Sequence, residues 1–205
     1  MATRDRKYNN LLLELKYLYA RAEYSDEIYD QAKREFEEYA KTFCEENGIE
    51  IEGTLVPNND VTELDLCREQ LYDDIELGED TTNIFCKSLF KKIATKTHPD
   101  KLASLSEEEK ERKSELFKKA RKAVNTNQWF ILVQIAQELK IQLPEIQEEH
   151  VELLEKELKN IKQTIHNMEG TYAWNFFNQE DDMKKRVLMI IYLKNFGIDL
   201  TKVNN

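Results

Sequence analysis

Between residues 11 and 43 the chain returns to the same helical stripe every three or four positions without a break. The stripe comprises Leu11, Leu15, Leu18, Ala22, Ser25, Tyr29, Ala32, Phe36, Tyr39 and Phe43, and only Ser25 in it is polar. This period fits an α-helix and no strand. Sustained over four heptads it makes a coiled-coil-like seam, and at 1.5 Å per residue a helix over 11–43 would be about 50 Å long. Asn47-Gly48 supplies the stop. After Pro144 the spacing returns in Val151, Leu154, Leu158, Ile161, Ile165 and Met168, and it ends at Gly170. A weaker version, Val61, Leu64, Arg68, Leu71 and Ile75, lies between the candidate N-cap Asp60 and Gly78. With only 5 Gly and 3 Pro, and 34% charged residues, the composition favours long helices over sheet.

Apolar stripes need partners. The expectation is that the N-terminal helix packs, antiparallel, on the 145–168 helix, with a separate helical module between them. A homodimer through the same stripes is the competing arrangement. Residues 1–57 then form the long N-terminal helix, 58–142 the inserted module, and 143–205 C-terminal helices packing back on the first. The class is all-α.

The inserted module carries the chemistry. Phe85, Leu89 and Ile93 share one helical stripe, flanked by Cys86, Phe90 and Ala94, while Lys91, Lys92 and Lys96 lie on the wetter side. The helix runs into His98-Pro99-Asp100, followed by Lys101. Pro99 disfavours helical geometry at His98, so the helix should stop there and leave His98 and Asp100 in a loop. The next helix opens on the capping box Ser106-Glu107-Glu108-Glu109 and carries Leu116, Phe117, Ala120, Ala123 and Val124 on one face. Charge is unevenly placed. Residues 85–125 hold twelve Lys or Arg against six Asp or Glu, or +6, so within a total of −10 the remainder carries −16.

The segment from about Val61 to Asn127, a third of the chain, resembles a J-domain, the module of DnaJ-type co-chaperones. The resemblance rests on Phe90-Lys91-Lys92-Ile93-Ala94-Thr95-Lys96-Thr97-His98-Pro99-Asp100, with Phe117 and Ala123 at the usual core positions of the following helix. It implies two antiparallel helices joined by the His-Pro-Asp loop, with Phe90, Ile93, Ala94, Phe117 and Ala123 in the core. It also implies that Lys91, Lys92, Lys96, His98, Pro99, Asp100 and Lys101 dock on a DnaK-type (heat-shock-70) chaperone and stimulate its ATP hydrolysis for an unidentified client. No enzymatic activity of the chain's own and no cofactor follow from it. The sequence departs from the family at Thr97, where an aromatic is usual, and at Val124, where Tyr is common. It also lacks the familiar first-helix Tyr-x-x-Leu-Gly turn, to which Leu71 to Gly78 is the closest match. The alternative is a J-like adaptor or scaffold that works through its long helices without stimulating ATP hydrolysis.

Other chemistry is weakly represented. The three histidines, His98, His150 and His166, offer no HExxH and no Cys/His ligand spacing, so no metal site is expected, and His150 and His166 read as solvated helix surface. There is no GxxxxGK[ST] and no GxGxxG. Acid–base catalysis by His98 and Asp100 would need a pocket and a further partner. The basic run Lys110 to Lys122 reads as a solvated face, and nucleic-acid binding through it would be steeply salt-dependent. Cys44, Cys67 and Cys86, odd in number and widely spaced, fit reduced thiols in a cytoplasmic or nuclear setting. The polar start is unlike a signal peptide. No apolar run approaches the ~20 residues of a membrane helix. In the C-terminal piece, Tyr172, Trp174, Phe176 and Phe177 precede a helix over about 180–195 with Met183, Val187, Ile190 and Ile191. That piece is either core packing on the long helices or a binding patch.

Overall fold

The computed structural model describes residues 2–49, 83–102, 105–195 and 198. All secondary structure among them is helical: α1 (Ala2–Glu46), α2 (Ile84–Thr97), a 3₁₀ turn (Pro99–Lys101), α3 (Glu107–Asn125), α4 (Trp129–Glu138), α5 (Glu148–Glu169), α6 (Tyr172–Phe177) and α7 (Asp182–Asn195). The weak helix expected over 61–75, Cys67 and the stop at Gly197 lie outside the described residues. The chain divides into two compact units, Met1–Leu18 with Glu69–Ile161, and Tyr19–Arg68 with Lys162–Asn205. Helices α1 and α5 each contribute to both.

In α1 the expected stripe is the buried face. Leu11, Leu15, Leu18, Ala22, Ser25, Tyr29, Ala32, Phe36 and Phe43 are all buried, and Tyr39 is half-buried. The helix stops where Gly48 takes φ +63°, with Ile49 N donating to Cys44 O (2.9 Å) and Gly48 N to Glu45 O (3.3 Å). This pair of bonds satisfies the last carbonyls and requires a left-handed residue, which glycine supplies without a Cβ penalty.

In the first unit, α2 and α3 form an antiparallel hairpin. Asn83 caps α2 by accepting from Phe85 N (2.8 Å), and its own N–H donates to Asn127 Oδ1 (2.6 Å) beyond the end of α3. Cys86, Leu89, Ile93 and Thr97 are buried from α2, and Ala120, Ala123 and Val124 from α3. Leu116, Phe117, Phe85, Phe90 and Ala94 are only half-buried. Ser106 caps α3 by accepting from Glu109 N (3.3 Å), as the capping box predicts.

The centre of this unit is a helix that periodicity does not reveal. Trp129, Phe130, Ile131, Leu132, Val133, Ile135 and Ala136 of α4 are all buried. A helix apolar on every side shows no amphipathic period and must be surrounded. Its end groups are satisfied by other elements. Glu157 of α5, 6% exposed, accepts from Phe130 N (2.9 Å) where Gln128 provides no side-chain cap. Trp129 Nε1 donates to Tyr8 OH of α1 (3.0 Å). The expected α5 stripe shifts slightly: Val151, Leu154, Ile161, Ile165 and Met168 are buried, but Glu157 takes the inner position and Leu158 is half-exposed.

In the first unit Lys7 of α1 pairs with Glu155 of α5 (2.7 Å). In the second, Arg21 of α1 forks onto Glu169 of α5 (2.7 and 2.8 Å).

The second unit is an aromatic-rich layer. Tyr29, Ala32, Phe36, Ala40, Phe43 and Cys44 of α1 meet Met168, Ala173, Phe176, Met189, Tyr192 and Leu193. Phe36 lies edge-on to Phe176 (5.4 Å, 73°) and to Tyr192 (4.8 Å, 83°), the geometry that ring quadrupoles favour. Thr171 caps α6 by accepting from Trp174 N (3.3 Å). In α7 the inward face is Met189, Tyr192 and Leu193; of the residues expected to carry the apolar face, Met183, Val187 and Ile191 are exposed and Ile190 is partly buried. The docking of Tyr192 on Phe36 sets the rotation of the helix. Hydrophobicity could not, because both faces of α7 are apolar.

After Gly48 and Asn127 (φ +55°), a third left-handed terminus ends α4. Lys140 has φ +53°, with Lys140 N donating to Gln137 O (3.0 Å) and Ile141 N to Ala136 O (2.8 Å). Lys140→Gly should raise stability by about 1 kcal/mol, the left-handed penalty relieved less the entropy glycine adds to the unfolded chain. The shift of the urea midpoint followed by circular dichroism checks this, and a fall would show that the cap strain is compensated elsewhere.

Candidate functional site

The His-Pro-Asp loop sits at the turn of the α2–α3 hairpin. His98 leaves the helix at φ −61°, ψ 131°, as the following proline requires, while its N–H still donates to Ala94 O (2.9 Å). Its Nδ1 accepts from Asp100 N (3.3 Å), which caps the 3₁₀ turn, and lies 3.3 Å from Asp100 Oδ2. The imidazole stands edge-on to Phe117 (5.3 Å, 81°), and Phe117 in turn faces Phe90 (5.9 Å). Leu102, 5% exposed, anchors the far side of the loop, its N–H donating to Pro99 O (3.0 Å). The side chain of Asp100 is 85% exposed, whereas that of His98 is 45% exposed. A held imidazole therefore stands beside a carboxylate open to solvent.

Lys91 and Lys92 are exposed on α2, and Ala94 lies beside them half-buried. Lys96 is placed differently: its Nζ donates to Leu139 O (2.8 Å), a carbonyl at the end of α4. Arg112 of α3 reaches the same helix end, pairing with Glu138 (2.8 Å). Cations at a helix C-terminus meet its partial negative charge. Two basic residues of the hairpin thus hold α4, and Lys96 is less available than Lys91 and Lys92. Thr97, buried, donates its hydroxyl to Ile93 O (3.0 Å), which is how a polar residue fits in that core position. Lys101 closes the turn by its backbone, and its side chain is outside the described set.

Beside the loop an open groove of about 550 Å³ is lined by Pro99, Leu102, Glu107, Lys110, Glu111 and Ser114. Lys110 pairs within it to Glu107 (2.7 Å). The whole end of the hairpin presents an exposed carboxylate, an acidic groove wall and, one to two turns back along α2, the exposed Lys91 and Lys92. Such an arrangement suits charge-assisted hydrogen bonds to a partner surface. Among the described residues no group of three His, Cys, Asp or Glu is placed to hold a metal, and no helix is long and apolar enough to cross a membrane.

Two buried polar residues were not legible as such. His150, expected on a solvated surface, is 1% exposed. It stacks on Trp129 (4.4 Å, 6°) and meets Phe85 edge-on (4.7 Å, 77°). Its Nδ1 accepts from Gln147 N (3.1 Å), the reach-back bond usually made by Glu or Gln three residues into a helix. Its Nε2 has no hydrogen-bond partner among the described residues. An aromatic ring on either side explains the burial, and neither neighbour is adjacent in sequence. Glu157 is the other; it lies one place off the expected stripe, and its capping of α4 accounts for it. His166, by contrast, is exposed. Cys44 and Cys86 are buried free thiols, and burial pushes the Cys86 thiol up to about 12.

Burial lowers the His150 pKa, while Glu149 opposes that shift more weakly. Above about pH 6.5 the imidazole is neutral in folded and unfolded chains alike, so it contributes no pH dependence there. Below that, the unfolded chain takes up a proton that the folded one refuses, and stability falls until the folded pKa is passed. Urea midpoints from pH 7.5 to 5 should drop accordingly. His150→Gln, which keeps an acceptor for Gln147 N, should flatten the drop; an unchanged slope would assign the pH dependence to other groups.

Comparison with protein-family models, with curated proteins and with solved structures finds no match to this chain.

Proposed function

We propose that this chain is a J-domain-type co-chaperone. It docks through the His98-Pro99-Asp100 loop and the Lys91/Lys92 face of α2 on a DnaK-type ATPase chaperone, favours that partner's hydrolysis-competent state, and delivers a specific client. The observation that carries the reading is the loop itself: an imidazole fixed by Phe117 and by the Asp100 N–H, beside a carboxylate 85% exposed, at the end of a helix bearing two exposed lysines. A docking loop needs its recognition groups outside and its geometry fixed from inside. Docking alone is not stimulation. A ligand shifts an equilibrium only by its differential affinity for the two states, so the contacts of Asp100 must be stronger in the hydrolysing form. The basic face on an otherwise acidic chain would steer encounter with an acidic partner surface.

A second reading, a J-like adaptor without stimulation, draws on the engagement of Lys96 by Leu139 O and on buried Thr97 where the family carries an aromatic. Single-turnover ATP hydrolysis by a DnaK-type chaperone separates the two. Stimulation by the wild-type chain should fall about ten- to hundred-fold in Asp100→Asn, the equivalent of one charge-assisted hydrogen bond of about 1.5–3 kcal/mol. Thermal unfolding should be unchanged, because the side chain is exposed. Stimulation equal in wild type and variant, or absent with several partner chaperones, would favour the adaptor.

The lysines should separate as well. Lys91→Glu with Lys92→Glu should weaken docking and reduce its salt dependence, read by titration at two ionic strengths. Lys96→Ala should affect docking less than that pair and should instead lower the urea midpoint. Equal docking losses for all three would place Lys96 on the binding face despite its bond to α4.

A further inference from the structure

Beyond the proposed co-chaperone activity, the outward face of α7 has no partner among the described residues of the second unit. Met183, Val187 and Ile191 are 70%, 51% and 44% exposed and recur every four residues, which lines them up along one side of the helix. Single exposed apolar residues are ordinary, but a continuous strip calls for an explanation. Anchoring α7 does not require it. The opposite face is secured by Met189, Tyr192 and Leu193, with Lys185 over the Phe176 ring (5.1 Å) and Arg186 over that of Phe43 (5.6 Å). The strip is also distinct from the seam of α1, which is buried within the chain.

We propose that the chain pairs with a second copy of itself through this face, the two α7 helices crossing antiparallel about a two-fold axis at Val187. The strip is symmetric about that residue. Val187 then meets Val187 of the other copy, and Met183 meets Ile191 in both directions. Charge follows the same symmetry. The start of α7 carries exposed Glu180, Asp181 and Asp182, and its end carries exposed Lys194. Antiparallel pairing sets each Lys194 level with the partner copy's acidic start, twice over by symmetry. Parallel pairing would put acid beside acid and Lys194 beside Lys194. Lys184, also exposed, would lie beside Ile190 with its amine in water and its stem on the strip.

A 14-residue helix is about 21 Å long. The contact is small, and the dimer should be weak, in the micromolar range.

The test is sedimentation velocity of the full chain over about 1–200 µM. The expected result is a mass rising towards the dimer with concentration. Val187→Glu and Ile191→Glu should each hold the chain monomeric with unchanged helical circular dichroism, since both positions are exposed. Lys194→Glu should weaken association at least about ten-fold, and adding Glu180→Lys and Asp182→Lys to it should restore association. A chain monomeric throughout, its strip left to some other occupant, would overturn the proposal. So would a dimer that survives Val187→Glu, or one indifferent to the charge exchange.

Discussion

The first unit depends on the burial of α4. Seven of its ten residues are buried apolar side chains, so little of it beyond Gln137 and Glu138 meets water and its buried polar groups must be satisfied by other elements. Glu157 of α5 supplies the acceptor at its start, Tyr8 of α1 receives the Trp129 indole N–H, and Lys96 and Arg112 of the hairpin meet its end. Four bonds from four helices converge on one short segment. Glu157 and Tyr8 are thereby given a register, because their bonds are buried and a shift of one residue would leave a buried donor or acceptor unpaired at a cost of about 1–3 kcal/mol.

This convergence bears on the candidate site. Lys96 belongs both to the basic face of α2 and to the cap of α4, so the position of α2 is tied to the end of α4. The loop is constrained from the other side by Leu102 beneath it and Phe117 against His98. What is exposed, the Asp100 carboxylate with Lys91 and Lys92, is carried on a hairpin held from inside; in the proposed docking, such support would lower the ordering cost of binding.

Much of the site could be read in the sequence because it is local. Pro99 dictates the end of α2, Ser106 the start of α3, and a spacing of three or four residues decides which lysines are outside. The unexpected parts are all contacts between distant residues. Lys96 looked like its neighbours until Leu139 was placed beside it. His150 looked like any histidine on a charged helix until Trp129 and Phe85 enclosed it. Helix α4 has no period to detect, and Glu157 sits one position away from where the stripe predicts an apolar residue.

The sequence by itself determined the all-helical class, the stripe of α1 and its stop at Gly48, the end of α2, the bounds of α3, and the loop between them. These follow from backbone preferences and side-chain spacing within a few residues. Only the tertiary structure decided that α4 is the centre of its unit and that α7 turns Met189, Tyr192 and Leu193 inward. The reason is physical. Periodicity shows that a face must be covered but carries no information about what covers it, and where both faces of a helix are apolar, as in α7, only the shape of the neighbouring rings chooses between them.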